Sequence, residues 1–312
     1  MRDPLVSWLR KRELLRGAVA DDHLSYLFHS LDSQIRNFSE HTPGFGQVLD
    51  ERIIDTKGSE TVFVLGSGPS ICSLTPDHFE EIGQQDSIGF NLWAVHEFVP
   101  THYLLQLSRD ATSRHAEIGA LQSRIGSYLQ TQILVRGDQT FQGQPSFSEI
   151  AIEVLQRSDM WFLMELAIHS KVEIEPRVMM RVFESLGLFN YGVVGKAIPK
   201  WRGTLGLILS LTYQMGYRNV VLCGIDMNDS SHFFDDPAYQ DCLPGITLPP
   251  VGSTDTETFE SQAYSRNTVS RYVSDFARFA RERAGVKLFL ASPGSRLTGI
   301  IPDWNFGGGR NP

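Results

Sequence analysis

The pattern of apolar and polar positions changes near residue 60. Before it, Trp8, Leu9, Leu14 and Leu15, then Leu24, Leu27, Phe28, Leu31 and Ile35, recur at three- and four-residue spacings, which predicts two amphipathic helices. Gly17 and the acidic pair Asp21-Asp22 separate them, and His41-Thr42-Pro43-Gly44 closes the second. After residue 60 the pattern is strand alternating with helix. Residues 61–65 form a continuous β-branched and apolar run, as a parallel strand covered on both faces requires. Further strands are predicted at 87–90, 102–106, 132–135, 219–223 and 286–290. Helices are predicted at 206–215 and 268–283, and 161–169 reads as an amphipathic core helix. This alternation predicts an α/β fold with a doubly wound, mainly parallel sheet. The expected division is an N-terminal helical extension (1–60), a catalytic α/β domain (61–305) and a flexible tail (306–312). Residues 227–267, polar and rich in Asp, Ser and Pro, read as a lid within that domain.

Composition and charge remove several function classes. The 28 Lys and Arg against 36 Asp and Glu give a formal net charge of −8 with no local basic run, which excludes a general nucleic-acid binder. No apolar stretch approaches the roughly 18–20 residues of a membrane-spanning helix, and the opening segment lacks the apolar core of a secretory signal. Cys72, Cys223 and Cys242 are too widely spaced for a metal cluster or a disulfide framework. The expectation is a cytoplasmic protein without a structural metal. Trp8, Arg10, Lys11, Arg12 and Arg16 leave two readings of the first helix. It is either a basic-faced helix at the inner face of the cell membrane, or half of a helical pair packed on the main domain or on a second subunit of a homo-oligomer.

The chemistry concentrates where predicted strands end. Gly66-Ser67-Gly68-Pro69-Ser70 follows the first strand, where open α/β sheets bind ligands. Two glycines permit a tight turn and a close approach, and exposed amides with the Ser67 and Ser70 hydroxyls suit phosphate. The loop lacks the Lys-Ser/Thr of an ATPase phosphate loop and the G-x-G-x-x-G spacing of a dinucleotide site. A plain strand-to-helix turn is the competing reading. Asn91 ends the second strand, Gln106 and Ser108 the third, and Ser292 the last. Gly203 and Thr204 open a helix whose first amides suit an anion, with Arg202 just ahead. His96 and His102 read as solvent-facing or capping groups, and Trp161, Phe162, Phe183 and Phe189 as core. Asp235-Asp236 reads as solvated rather than as a metal pair.

Taken in order, these landmarks resemble the bacterial sialyltransferases with a modified Rossmann fold, together with the related motility accessory factor and archaeal hydroxymethylpterin diphosphokinase-like proteins. The matching residues are Leu65 to Ser70, Phe90-Asn91-Leu92-Trp93, Arg202 to Gly206, Met215-Gly216-Tyr217-Arg218, Cys223-Gly224-Ile225-Asp226 and Ser292-Pro293-Gly294-Ser295. The resemblance spans residues 61–300 and implies a Rossmann-like, metal-independent enzyme that needs no cofactor beyond its CMP-sugar donor. It would transfer a sialic acid, another nonulosonic acid or Kdo to a glycan or glycolipid acceptor in surface polysaccharide synthesis. Gly66 to Ser70, Asn91, Gln106, Ser108, Gly203, Thr204, Asp226, Arg266 and Ser292 would hold the donor. Arg202, Thr204 and His232 would act on the departing phosphate. One departure stands out. The family's general-base histidine would fall near Thr268, and no histidine follows His232. His232, Asp255, Glu257 and Glu260 remain as bases, and a retaining reaction remains open. A magnesium-dependent pyrophosphokinase-like enzyme and a non-catalytic nucleotide-binding module are the competing functions.

Overall fold

A computed structural model of the chain describes residues 47–107, 111–136, 140, 141, 144, 145, 149, 150, 154, 157, 159–168, 175–195, 197–201, 203–227, 231–240, 268–292 and 294–307. The two N-terminal amphipathic helices fall outside the described residues. Among the described residues, nine strands build the main sheet: β1 Gln47–Val48, β2 Thr61–Leu65, β3 Asp86–Phe90, β4 His102–Leu105, β5 Gln132–Arg136, β6 Met160–Ile168, β7 Ala197–Trp201, β8 Asn219–Cys223 and β9 Lys287–Leu290. Its order is β1-β6-β5-β4-β3-β2-β8-β9, with β7 also paired to β6, and every pairing is parallel.

Helices cover both faces, which is why β2 carries no polar alternation. Val62 and Val64 point into one core, shared with α3 (Pro176–Ser185), α4 (Gly203–Gln214) and α5 (Val269–Ala284). Phe63 and Leu65 point into the other, shared with α1 (Pro76–Gly83) and α2 (Ala111–Ser123). The α/β class, with its doubly wound parallel sheet, is therefore as the sequence pattern predicts. Thr268 caps α5 by accepting the Arg271 amide, and Gly285 ends it in the left-handed region at φ 70°.

Three segments differ from the sequence reading. Residues 161–168 are not a core helix but most of β6, paired with β1, β5 and β7. A short run that is apolar but for Glu165 cannot be assigned to helix or strand by periodicity alone. His169 lies outside the described residues. Pro199 interrupts the pattern of β7 in the sequence; among the described residues β7 pairs only with β6, and a proline is tolerated in such an edge strand. Residues 47–56, assigned to the N-terminal extension, pack with the α/β unit: β1 joins the sheet, and Ile53 is fully buried. At the far end, the Phe306 ring stacks on His78 and the Gly307 amide donates to Glu81 of α1, so the described part of the tail is docked.

Candidate functional site at the strand tips

The chain lays down β2, β3, β4, β5 and β6 outward in one direction, then returns to place β8 and β9 on the other side of β2. The strand order reverses between β2 and β8, and ligands of open parallel sheets bind beyond the carboxyl ends at such a point. Gly66–Ser70 and Gly224–Met227 leave the sheet there, beside the tips of β3 and β4.

The two loops interlock. The amides of Gly66 and Gly68 donate to the carbonyls of Cys223 and Gly224, both at 2.8 Å, and the Ser70 amide donates to Asp226 Oδ2 at 2.9 Å. A Cβ on Gly68 would sit 2.3 Å from Asp226 Oδ2 and 2.7 Å from the Gly224 carbonyl oxygen. Loop-to-loop packing, rather than close approach to a ligand, thus accounts for that glycine. It also alters the phosphate expectation. With the Ile71 amide bonded to the Gly68 carbonyl, four amides of this turn already have protein acceptors. The side chains are left to face a ligand. Ser70 Oγ and Asp226 Oδ1 are buried and make no hydrogen bond, and such atoms in a native fold call for an explanation.

Ser292 is behind this tip. Its side chain is buried, and Oγ accepts the Ile225 amide at 3.3 Å. Ser295 Oγ donates to the Ile225 carbonyl at 2.6 Å, and the Arg296 amide to the Asp226 carbonyl at 3.0 Å. The Ser-Pro-x-Ser segment braces the Gly-Ile-Asp turn.

Among the described residues, three non-glycine residues have positive φ: Asn91 (55°) directly after β3, Leu107 (55°) in the turn after β4 and Met227 (60°) in the loop after β8. Strain of this kind collects at functional sites. The Asn91 carbonyl accepts the Tyr103 hydroxyl, while its side chain has no hydrogen-bond partner among the described residues. Gln106 follows β4, and its side-chain carbonyl accepts the Thr204 hydroxyl at the start of α4. Gly203, at φ 69°, precedes Thr204. Asn91, Gln106, Thr204 and Asp226 therefore lie along one edge of the sheet.

His232 enters this region on a folded segment. Its ring stacks on Phe234 at 4.7 Å, and its amide donates to the Asp235 carboxylate at 2.6 Å. Phe233 is fully buried against Trp93 and His96, and its amide bonds the Ser67 carbonyl at 2.9 Å. The first part of the expected lid is thus seated on the β2 and β3 tips by aromatic packing. Ser108, Arg202, Arg266, Asp255, Glu257 and Glu260 lie outside the described residues.

His96 and His102 are buried, not solvent-facing. Burial pushes both rings down to about 4, with Arg124 adding to the effect at His96. Two polar groups at the strand tips were not anticipated. Arg136, which ends β5, forms a buried pair with Glu165 of β6, and Lys200 of β7 lies 3.2 Å from the same carboxylate. Burial pushes Glu165 up, but the two cations outweigh it and hold the group below the usual range. Glu117 of α2 is also buried, and its Oε1 accepts the Gln106 amide at 2.7 Å.

No family model and no curated protein matches the chain. Solved structures do. One is a sialyltransferase from Campylobacter jejuni in complex with a substrate analogue, CMP-3FNeuAc (TM-score 0.41, 13% identity, covering 79% of this chain and 86% of that one). Another is a sialyltransferase in complex with a trisaccharide acceptor and CMP (TM-score 0.41, 12% identity, 80% and 88% covered). A third is an alpha-2,3-sialyltransferase from Campylobacter jejuni in apo form (TM-score 0.38, 12% identity, 79% and 80% covered). Likenesses this distant carry no argument about the site, which rests on the chain's own residues.

Proposed function

We propose that the chain is a glycosyltransferase that moves an acidic sugar (sialic acid, another nonulosonic acid or Kdo) from a CMP-activated donor to a glycan or glycolipid acceptor. The observation that carries the reading is the reversal of strand order between β2 and β8, with Asn91, Gln106, Thr204 and Asp226 on that single edge. The sequence landmarks from Leu65 to Ser295 agree with it. In this reading the unbonded side chain of Asn91 and the free oxygens of Ser70 and Asp226 hold the nucleotide. The α4 N-terminus, Thr204, Arg202 and Arg266 receive the phosphate and the sugar carboxylate.

Catalysis would rest on positioning and on stabilising the departing phosphate, with His232 as the nearby proton donor. The family resemblance implies turnover without a divalent cation, which the magnesium arms of the series below test. No helix among the described residues is long and apolar enough to cross a membrane. Contact with a lipid-borne acceptor would fall to residues 1–46, beyond the described part.

A thermal-shift series with CMP, CDP, UDP, GDP and ATP, each with and without magnesium, tests the reading, because a ligand of the folded state raises the midpoint. Stabilisation by CMP without metal is expected. A response confined to magnesium-ATP would overturn it in favour of the pyrophosphokinase class.

A further inference from the structure

The tip of β4 is held by a group that the proposed chemistry does not use. β4 ends at Leu105, so the Gln106 amide has left the parallel ladder. Its acceptor is Oε1 of Glu117, 2.7 Å away on α2. Glu117 is only 3% exposed, and a carboxylate is an expensive group to bury where a neutral acceptor would serve the same amide. The next residue, Leu107, is fully buried with φ at 55°, a conformation that a leucine side chain opposes. Beyond the backbone, the Gln106 side chain accepts the Thr204 hydroxyl. A continuous chain of hydrogen bonds thus runs from Glu117 on one face of the sheet, through the β4 tip, to the first turn of α4 on the other.

We infer that Glu117 is a positioning residue for the strand-tip site. It replaces the missing ladder partner of Gln106, holds the tip in its strained turn, and thereby fixes where Gln106 and Thr204 meet. A side-chain oxygen at position 117 that accepts the Gln106 amide offsets the strain at Leu107 and keeps the tip in its turn. The inference rests on the nucleotide reading only for the ligand used as a probe.

The test compares Glu117→Gln, which retains an acceptor oxygen, with Glu117→Ala, which does not, and measures CMP binding by calorimetry. Glu117→Gln should bind within about threefold of the parent chain, whereas Glu117→Ala should bind about tenfold more weakly. In a Thr204→Val background, Glu117→Ala should cost almost nothing further, because both changes break the same chain of bonds. A structural loss unconnected to the tip would add in full, and that result, or unchanged binding by Glu117→Ala, would overturn the inference. Amide exchange of Gln106 supplies a readout without ligand. Protection should survive in Glu117→Gln and fall at least about tenfold in Glu117→Ala, with amides of β2 unchanged. Failure of the parent chain to bind CMP would count against the nucleotide reading, while the exchange comparison would still decide the role of Glu117. Equal protection in the two variants would overturn it.

Discussion

The Ser70 amide donates to the carboxylate of Asp226 at 2.9 Å, joining two loops that lie 156 residues apart in the chain. The bond closes the crevice between β2 and β8 at the point where strand order reverses. It also explains why Gly68 has no side chain. A methyl group there would meet Asp226 Oδ2 at 2.3 Å and the Gly224 carbonyl at 2.7 Å, and a backbone carbonyl inside two interlocked turns has little room to move.

Gly68→Ala should therefore lower folding stability by about 2–3 kcal/mol through overpacking. Asp226→Asn keeps one side-chain oxygen for the Ser70 amide and should cost about 1 kcal/mol or less. Urea unfolding of the two variants beside the parent measures the difference. A Gly68→Ala variant as stable as the parent would show that the loops are not locked together.

Acid stability should be governed by two histidines. His96 lies against Trp93, Phe79 and Phe233, and His102 lies between the Thr56 and Thr101 hydroxyls. Both are pushed down to about 4 in the folded chain, against an ordinary value of 6.5, so the unfolded chain binds more protons over that interval. Stability is complete above pH 6.5 and is lost as pH falls toward 4. At pH 5 the loss should be about 2 kcal/mol per histidine. Urea midpoints from pH 7 to 5 in the parent and in His102→Asn check this. The variant's slope should be roughly half the parent's, and an unaltered slope would exclude His102 as a source.

How much of this was legible in the sequence follows from how each element is buried. β2 and β8 are short runs rich in β-branched and apolar residues, each followed by a glycine, and that length and composition mark them as strands where periodicity alone would not. α5 declares itself by an apolar stripe between a Thr cap and a Gly stop. β6 is apolar except for Glu165 over nine residues, long enough to pass for a helix, and its pairing with three other strands is a property of the fold alone. The strand-tip residues Asn91, Gln106, Thr204 and Asp226 could be found because they follow recognisable strands or open a recognisable helix. Glu117 and the Arg136–Glu165–Lys200 group could not, since each sits inside an element where nothing local distinguishes it from a solvated charge.

Asp86 should be the principal staple at the opposite end of the sheet. Its carboxylate accepts the Gly58 and Ser59 amides and, at 2.9 Å, the buried Tyr217 hydroxyl. Burial pushes its carboxyl above the usual range despite these bonds. Asp86→Asn turns a donor toward donors and should cost about 2–3 kcal/mol, and Tyr217→Phe about 1 kcal/mol. The double variant should lose less than the sum, because both changes remove one shared bond. Chemical denaturation of the four chains measures the coupling, and strict additivity would show the bond contributes nothing.

The final prediction separates the backbone of Asn91 from its side chain. At φ 55° the residue occupies the left-handed region, which glycine adopts freely and alanine resists at a cost of about 1 kcal/mol. Asn91→Gly should fold as well as the parent or slightly better, and Asn91→Ala should be less stable by about that amount. Nucleotide binding should respond differently. If the side-chain amide contacts the ribose or phosphate, both variants lose it, and CMP affinity should drop about tenfold in each whatever their stability. If the strained turn alone matters, Asn91→Ala, held in the same turn, should bind as the parent does while Asn91→Gly weakens. Calorimetric titration of CMP into the two variants distinguishes these outcomes. Unchanged affinity in both would remove Asn91 from the site and leave its conformation to be explained by the Tyr103 hydroxyl on its carbonyl.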